Sequence, residues 1–268
     1  MDRSVLVATK VGVAAQRIRE KWQLLSAAVR HPETLGTVAN DLIARELLEQ
    51  LCTTGGVFLD VGAHIGSIID GVKRHSNPAA IIAIEAIPEK TRKLRARFPG
   101  ITVHSCAVGE EDREISFFVD DKKSGYSSLF SEGKSKNLRH LTVPLRKLDT
   151  LIPTASVDVI KIDVEGAELG VLRGGEKLIA RAQPLIMFES GPSEEGGYTK
   201  QGIWQWYDDA GYEIVVPNRL AHLGNGLSSE GFAESHLYPR RTTNYFAVPR
   251  ARREEIRSRV RVILGFSI

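Results

Sequence analysis

The sequence predicts an α/β fold in which a doubly wound, mostly parallel, seven-stranded sheet of Rossmann-like type lies between layers of helices. Short apolar runs rich in β-branched residues alternate with stretches at helical spacing, a pattern typical of parallel strands covered on both faces. Two of the runs end in an acid beside a turn, Asp60 and Glu85. The 268 residues suffice for one such domain with additions at both ends.

The elements follow in a regular order. Five buried runs predict the first strands: GVFLDVG, AIIAIEA, ITVHSCAV, VDVIKID and PLIMFES. Between and after them, helices are predicted over 64–74, 89–97, 166–180 and 201–210. YEIVVP and NYFAVP predict the last two strands of the sheet.

The regions before and after this core are predicted to be helical. In the N-terminal region, apolar positions such as Ile18, Trp22 and Leu25 recur at helical spacing, and the tail ARREEIRSRVRVIL is amphipathic and basic. We therefore divide the chain into a helical cap over 1–53, the main domain over 54–249 and a C-terminal helix over 250–268.

Residues 114–145 interrupt the alternation. EISFFVD and HLTVPL predict extra strands, and the polar segment DDKKSGYSSLFSEGKSKN lies between them. Loops of this length in a compact domain are usually functional or disordered. We expect this loop to face the substrate, with Tyr126, Ser127 and Ser128 as candidate contacts. Trp204 and Trp206 are further aromatic candidates, although two Trp on a helix are more often core anchors.

The first strand runs directly into a glycine turn, DVGAHIG over 60–66. Glycine permits a sharp bend and close approach of the backbone to a ligand, and ligands of open α/β sheets bind beyond the carboxyl ends of strands. The dinucleotide pattern G-x-G-x-x-G is absent because His64 stands where its second glycine would be. Glu85, at the end of the second strand, is placed to accept hydrogen bonds from ribose hydroxyls, and Asp60 to receive an ammonium group. In the alternative structural interpretation, Asp60 caps the helix and Glu85 is a solvated strand end.

Three acids follow the fourth predicted strand: Asp163, Glu165 and Glu168. The strand delivers Asp163 to the carboxyl edge of the sheet, and the two glutamates open a helix, where their charge meets the positive end of the helix dipole. Helix stabilisation explains acids in a first turn. Three of them beside a predicted pocket also indicate binding or catalysis.

In these segments the chain resembles the FkbM-type S-adenosylmethionine-dependent methyltransferases. The resemblance covers roughly residues 54–249, on FLDVGAHIGS, AIEAIPE, AVG over 107–109, GYSSLF, IKIDVEGAELGVLRGG and NYFAVP. It implies a class I methyltransferase fold with S-adenosylmethionine as cofactor. The residues implied to hold that cofactor are Asp60, Gly62, Ala63, His64, Gly66, Glu85, Ala107 and Val108. Two positions depart from the family pattern: His64, where Asn is usual, and Ala86, where Pro is common.

The resemblance further implies O-methylation of a hydroxyl group on a sugar, a glycolipid-type saccharide or a secondary metabolite. Methyl transfer from a sulfonium requires alignment of the acceptor oxygen and removal of its proton. Asp163 and Glu165 are the preferred bases and Glu189 the third candidate, while Glu168 is a candidate substrate contact. No metal is expected; a hard cation held by Asp163, Glu165 and Glu189 is the less favoured interpretation.

Two other functions remain as alternatives, an NAD-dependent oxidoreductase on the same architecture and a non-catalytic ligand-binding or scaffold protein. The net charge of +3 without a long basic run argues against nucleic-acid binding. The motifs G-x-S-x-G and G-x-x-x-x-G-K-[ST] are absent, which argues against α/β-hydrolases and P-loop NTPases.

The expected location is cytoplasmic. No apolar run is long enough to cross a bilayer, and Cys52 and Cys106 lack metal-type spacing, so reduced thiols are expected. The basic terminal helices leave peripheral membrane contact as an expectation.

Overall fold

The protein was analysed as a computed structural model that describes residues 19, 22–120, 127–128, 138–192, 194 and 198–266. In chain order the strands are β1 (Val57–Val61), β2 (Ala80–Glu85), β3 (Thr102–Ser105), β4 (Ala107–Val108), β5 (Arg113–Asp120), β6 (Ser127–Ser128), β7 (Leu138–Arg146), β8 (Val159–Ile162), β9 (Leu185–Glu189), β10 (Tyr212–Val215) and β11 (Asn244–Pro249). After a helical stretch over 22–30, the α-helices are α1 (Leu35–Leu51), α2 (Ser67–His75), α3 (Pro88–Arg97), α4 (Leu148–Leu151), α5 (Glu168–Gly174), α6 (Glu176–Ala182), α7 (Lys200–Asp209), α8 (Ser229–Glu234) and α9 (Arg253–Ile263).

The main sheet has seven strands in the order β3-β2-β1-β8-β9-β11-β10. Neighbours from β3 to β9 are parallel, whereas β11 runs antiparallel to β9 and to β10. The predicted fold class is therefore confirmed. The carboxyl ends of β1, β2, β8 and β9 share one edge of the sheet, and the reversed β11 begins at that edge.

Alternation within β1 shows why the sheet is covered on both faces. Phe58 packs into a cluster that contains Leu47 of α1 and Ile256 of α9. The next residue, Leu59, points to the other face and packs with Leu172 of α5. Because successive side chains of a strand point to opposite faces, an uninterrupted apolar run requires helices on both.

Residues 114–145, which interrupt the alternation of strands and helices, belong largely to a second sheet. This sheet has four strands in the order β4-β7-β5-β6. The two extra strands predicted from EISFFVD and HLTVPL are β5 and β7, which pair antiparallel. Ala107 and Val108 were expected to close the third strand of the main sheet. Instead that strand ends at Ser105, and the pair forms β4 beside β7.

Local backbone geometry explains two other differences from the predicted elements. The helix expected from position 64 begins at Ser67, because His64 and Gly66 adopt left-handed conformations with φ of 50° and 76°. The helix expected over 166–180 is divided into α5 and α6. At the break, a Cβ on Gly174 would lie 2.0 Å from the carbonyl oxygen of Gly109, so the glycine lets α5 approach the second sheet.

No helix that the structure describes is both long and apolar enough to cross a membrane.

Candidate active site

A cavity of about 420 Å³ opens at the shared carboxyl edge of β1, β2, β8 and β9. This volume falls in the usual range for small-molecule sites. Ten of the predicted site residues line it: Asp60, Gly62, Ala63, His64, Glu85, Ala107, Val108, Asp163, Glu165 and Glu189. The structure therefore brings the predicted strand-tip acids and the glycine turn to one place.

Five predicted site residues are not among those that line this cavity. Gly66 packs under the turn, and Glu168 points into a loop. Tyr126 lies outside the described residues, as do the side chains of Ser127 and Ser128, whose backbone forms β6. Their predicted roles in substrate binding stay predictions.

The glycine turn packs against the protein itself. Gly62 has a φ of 82°, and a Cβ there would lie 1.8 Å from the carbonyl oxygen of Asp163. Its N–H donates to the carbonyl of Ile84 at 2.9 Å. At Gly66 a Cβ would lie 2.4 Å from the ring of Phe98. Both glycines thus allow the turn to contact neighbouring elements, and Gly62 joins the tips of three strands.

Glu85 organises the two loops beside it. Its Oε2 accepts the backbone N–H of His64 and its Oε1 that of Ile87, both at 2.9 Å. The residue is 6% exposed, and burial raises the pKa of its carboxyl, opposed by the charge of Lys90 and by these two N–H groups. Each carboxylate oxygen retains a second lone pair, so the group can also accept a ligand hydroxyl.

A buried lysine links two of the acids. Lys161 on β8 is the register partner of Asp60 on β1, and its Nζ lies 3.6 Å from Asp60 Oδ1 and 3.0 Å from Asp163 Oδ2. Asp60 Oδ1 accepts no hydrogen bond from the described residues, although it is buried. Asp60 Oδ1 is therefore a buried acceptor at the cavity, which Lys161 Nζ approaches to 3.6 Å.

Asp163 and Glu189 form a hydrogen-bonded carboxyl pair. Burial, together with the hydrogen bond and charge of Asp163, raises the pKa of Glu189 to about 9. Burial acts in the same direction on Asp163, but Lys161 outweighs it and holds the pKa of Asp163 below its ordinary value. At neutral pH the shared proton therefore resides on Glu189 and Asp163 is ionised.

Glu165 completes this acidic group. Carboxylate oxygens of Asp163, Glu165 and Glu189 all lie within 4.8 Å of one another. The Lys161 ammonium contacts this group at Asp163.

One wall of the cavity comes from residues that the sequence did not single out. Asp41 and Arg45 of α1 line it, as does Asn244 at the start of β11, directly opposite Glu189 in the strand register. Asp41 accepts hydrogen bonds from the Thr243 N–H at 2.9 Å and from the Asn244 N–H at 3.2 Å. We call Asp41, Arg45, Glu189 and Asn244 the helix side of the cavity. Asp60, Gly62, His64 and Glu85 form the turn side.

Sequence signals for these missed residues differ in strength. Lys161 interrupts an apolar run, IKI, and a lysine in a buried strand is uncommon unless it is paired, so it was recognisable. Asp41 occupies an ordinary polar position of an amphipathic helix. No sequence pattern around Asp41 indicates that it lines the cavity.

Glu168 has a local role. Its Oε1 accepts the N–H groups of Val164 at 3.3 Å and Gly166 at 3.2 Å, and the residue is buried at the start of α5. Trp204 and Trp206 pack on the core beneath α7, where the Trp204 indole donates to the Leu227 carbonyl.

A comparison with known protein families identifies this arrangement. The model of the methyltransferase FkbM domain matches residues 60–214, more than half of the chain. The chain belongs to the FkbM methyltransferase family. The matched segment begins at Asp60, spans the glycine turn, Glu85 and the acidic group, and ends within β10.

Individual relatives of this FkbM protein are more distant. "Methyltransferase 1" of Beauveria bassiana is 27% identical over 141 residues, which are 43% of this chain and 57% of that protein. The FkbM methyltransferase structure from Methylobacillus flagellatus has a TM-score of 0.44 at 18% identity, over 73% of this chain and 44% of that one. The chain thus spans about half the length of these two relatives. Aeropyrum pernix fibrillarin, solved with S-adenosylmethionine, gives a TM-score of 0.43 at 13% identity, over 79% of this chain and 74% of that one.

The family makes S-adenosylmethionine the cofactor of this site, and the described residues fit it. Among the described residues, six carboxyl groups line the cavity, of which Glu189 is protonated, together with His64 and three Lys or Arg side chains. This excess of negative charge suits a cofactor that carries both a sulfonium and an ammonium group. Asp60 Oδ1 offers a buried acceptor for the ammonium, and Glu85 offers lone pairs for the ribose hydroxyls.

Proposed function

We propose that this protein transfers the methyl group of S-adenosylmethionine to a hydroxyl oxygen of a sugar, a glycolipid-type saccharide or a secondary metabolite. The observation that carries the proposal is the carboxyl pair Asp163–Glu189, which lies in the cavity that the cofactor would occupy and offers one ionised and one protonated group. The ionised Asp163 can take a proton from an oxygen acceptor, and the protonated Glu189 donates its hydrogen bond to Asp163 and holds it in place.

The cofactor supplies a methyl group activated by its attachment to a sulfonium. The turn side of the cavity binds it through Asp60 and Glu85, which are held in place by the sheet. The protein's contribution to rate is then alignment of the acceptor oxygen with the sulfur–methyl bond, which supplies several kcal/mol of the barrier. Acids on both sides of the cavity keep the reacting atoms in this line.

Asp163 is the preferred base. Its side chain is 33% exposed, whereas that of Lys161 behind it is 9% exposed, so Asp163 presents an oxygen to the cavity. As the acceptor oxygen forms its bond to carbon, it gains positive charge and its proton becomes acidic. A carboxylate with a low pKa is then a sufficient acceptor, and such assistance contributes roughly 10²–10⁴-fold to the rate.

Glu189 and Glu165 flank this base. Because Glu189 carries the proton of the pair at neutral pH, its O–H donates to Asp163 and holds that base in place. Its remaining lone pairs can accept a hydrogen bond from a further hydroxyl of the acceptor. Glu165 lines the same cavity and is the second candidate base. Asn244, opposite Glu189, adds an amide that can bind a further acceptor hydroxyl.

The test combines binding and transfer. Isothermal titration with S-adenosylmethionine and with NAD measures which cofactor binds, and the protein is then incubated with labelled methyl donor and a panel of saccharides, glycolipids and hydroxylated metabolites. We expect micromolar S-adenosylmethionine binding and label on oxygen. NAD binding in place of S-adenosylmethionine, or label on nitrogen or carbon, contradicts the proposal.

Two variants assign the base. Asp163→Asn and Glu165→Gln should retain cofactor affinity and lose turnover by roughly 10²-fold or more for the residue that takes the proton. Glu176→Gln, at the start of α6 and outside the cavity, is the matched control. Full activity in both site variants contradicts the assignment.

We also propose a cytoplasmic protein with peripheral membrane contact, which would bring lipid-linked saccharides to the cavity. Trp22, Leu25 and Val29 are 66%, 61% and 81% exposed on one face of the helical stretch 22–30. Arg19 and Arg30 flank that face, an arrangement typical of interfacial helices. Sedimentation with anionic vesicles should fall in a Trp22→Ser/Leu25→Ser variant; equal sedimentation of both proteins contradicts this part.

A further inference from the structure

Lys161 is a charged residue in a strand whose four residues are all buried. Its residue exposure is 7%, and its neighbours on β8, Ile160 and Ile162, belong to the apolar core. A buried ion pair is not in general more stabilising than apolar residues of similar volume. Stability alone is therefore a weak explanation for a lysine here, and its contacts indicate what else it does.

Those contacts join two acids of different proposed roles. Nζ lies 3.0 Å from Asp163 Oδ2, at the proposed base, and 3.6 Å from Asp60 Oδ1, at the proposed ammonium-binding acid. Because Lys161 and Asp60 are register partners on parallel strands, the sheet fixes this geometry. The ammonium approaches Asp163 from the core side and leaves its exposed side to the cavity.

We propose that Lys161 is a positioning residue, which keeps Asp163 ionised and confines the proton of the carboxyl pair to Glu189. The inference rests on the proposed function and deepens it, because it explains which member of the pair acts as base. Without the Lys161 ammonium, the pKa values of Asp163 and Glu189 would lie closer together. A protonated Asp163 would then face the acceptor in part of the molecules, unable to take its proton.

Other charged groups also surround the pair. Asp60 on β1 and Glu85 on β2 add negative charge, and Glu165 lies in the loop after β8. His64 in the glycine turn and Lys90 on α3 add positive charge at the far side of Glu85, and Asp41 and Arg45 approach from α1. Lys161 acts on Asp163 directly, because its Nζ donates a hydrogen bond to Asp163 Oδ2 at 3.0 Å.

The experiment measures the Asp163 titration directly, in protein labelled with ¹³C at aspartate and glutamate carboxyls. Asp163→Asn assigns the resonance. In Lys161→Met the Asp163 midpoint should rise by about 1–3 pH units, the usual effect of a neighbouring cation, while Lys161→Arg should keep it near the wild-type value. Lys90→Met, the matched control, removes a cavity cation without that hydrogen bond and should shift the midpoint much less.

The acid limb of the kcat profile at saturating cofactor should move by the same amount as the Asp163 midpoint. An unchanged midpoint in folded Lys161→Met, or a shift in Lys90→Met of equal size, overturns the inference. If Lys161→Met does not fold, Lys161→Gln decides: the amide keeps a polar side chain and loses the charge, so the Asp163 midpoint should still rise, and no movement refutes the electrostatic link. The titration does not depend on turnover. It therefore tests the role of Lys161 even if the proposed methyl transfer is not observed.

Discussion

The turn side and the helix side of the cavity are built in different ways. On the turn side, Asp60, Gly62 and His64 lie within five positions, and His64 donates its backbone N–H to Glu85, 21 positions away. On the helix side, Asp41 contacts Thr243, which follows it by 202 positions. One side is a local structure at two strand tips, while the other is assembled from the two ends of the chain.

This difference separates two functions of the cavity. The turn side lies within the matched family segment, whereas Asp41, Arg45 and Asn244 lie outside it. Glu189, the fourth residue of the helix side, lies inside it. We expect substitutions on the turn side to affect mainly the cofactor, and substitutions at Asp41 or Asn244 to affect mainly the acceptor.

The largest expected effect tests the rigidity of the turn side. Gly62→Ala should lower the free energy of unfolding by more than about 3 kcal/mol and abolish cofactor binding, because the Cβ would lie 1.8 Å from a backbone oxygen. Gly55→Ala is the matched control: Gly55 has the same φ of 82° with nothing within 4 Å, so it should lose only about 1–2 kcal/mol. Urea unfolding compares them, and equal losses would contradict the close-packing explanation.

Glu85→Gln tests the cofactor contact on the same side. The amide keeps one acceptor and loses the charge, so the Kd for S-adenosylmethionine should rise by about 10–100-fold, the equivalent of about 1.5–3 kcal/mol. Acceptor KM should change little. Calorimetry measures the first and steady-state kinetics the second. An unchanged cofactor Kd in this variant would contradict the assignment of Glu85 to the cofactor-binding site.

The pH dependence of stability tests the protonation of Glu189, which belongs to the helix side. The folded protein holds the Glu189 proton with a pKa of about 9, compared with 4.5 for an ordinary glutamate. Stability from this proton is fully present below pH 4.5 and is lost as the pH rises toward 9. As the pH rises from 5 to 9, the free energy of unfolding should therefore fall more for wild type than for Glu189→Gln. The difference should grow by at most about 1.4 kcal/mol per pH unit. Parallel curves from pH 5 to 9 would refute the raised pKa.

The smallest effect is expected at Asp41. Asp41→Asn weakens charge-assisted hydrogen bonds to Thr243 and Asn244, which should raise the acceptor KM about fivefold, for roughly 1 kcal/mol, and leave the cofactor Kd unchanged. Glu46→Gln, an exposed position of the same helix, is the control. A change in cofactor Kd as large as that in KM would erase the distinction between the two sides.

The turn side could be predicted from the sequence to a larger extent than the helix side. The strands, the glycine turn and the acids at 60, 85 and 163 are encoded by local patterns, because a buried parallel strand and a left-handed glycine each restrict nearby residues. Asp41 could not be predicted, since its role depends on a contact formed only when α1 meets the start of β11. The protonation of Glu189 was also beyond the sequence: it follows from the distance to Asp163 and from Lys161 behind it.

The position of β11 has a consequence for where this protein can be cut. The strand lies between β9 and β10, although it comes after both in the chain. A fragment limited to residues 60–214 would end inside β10 and lack the strand that joins β10 to the sheet. It would also lose α1 and α9 and expose Val159 and Met187 to water. We therefore expect that the segment by which the family is recognised does not fold alone, and truncations should retain α1 and the chain from β11 through α9.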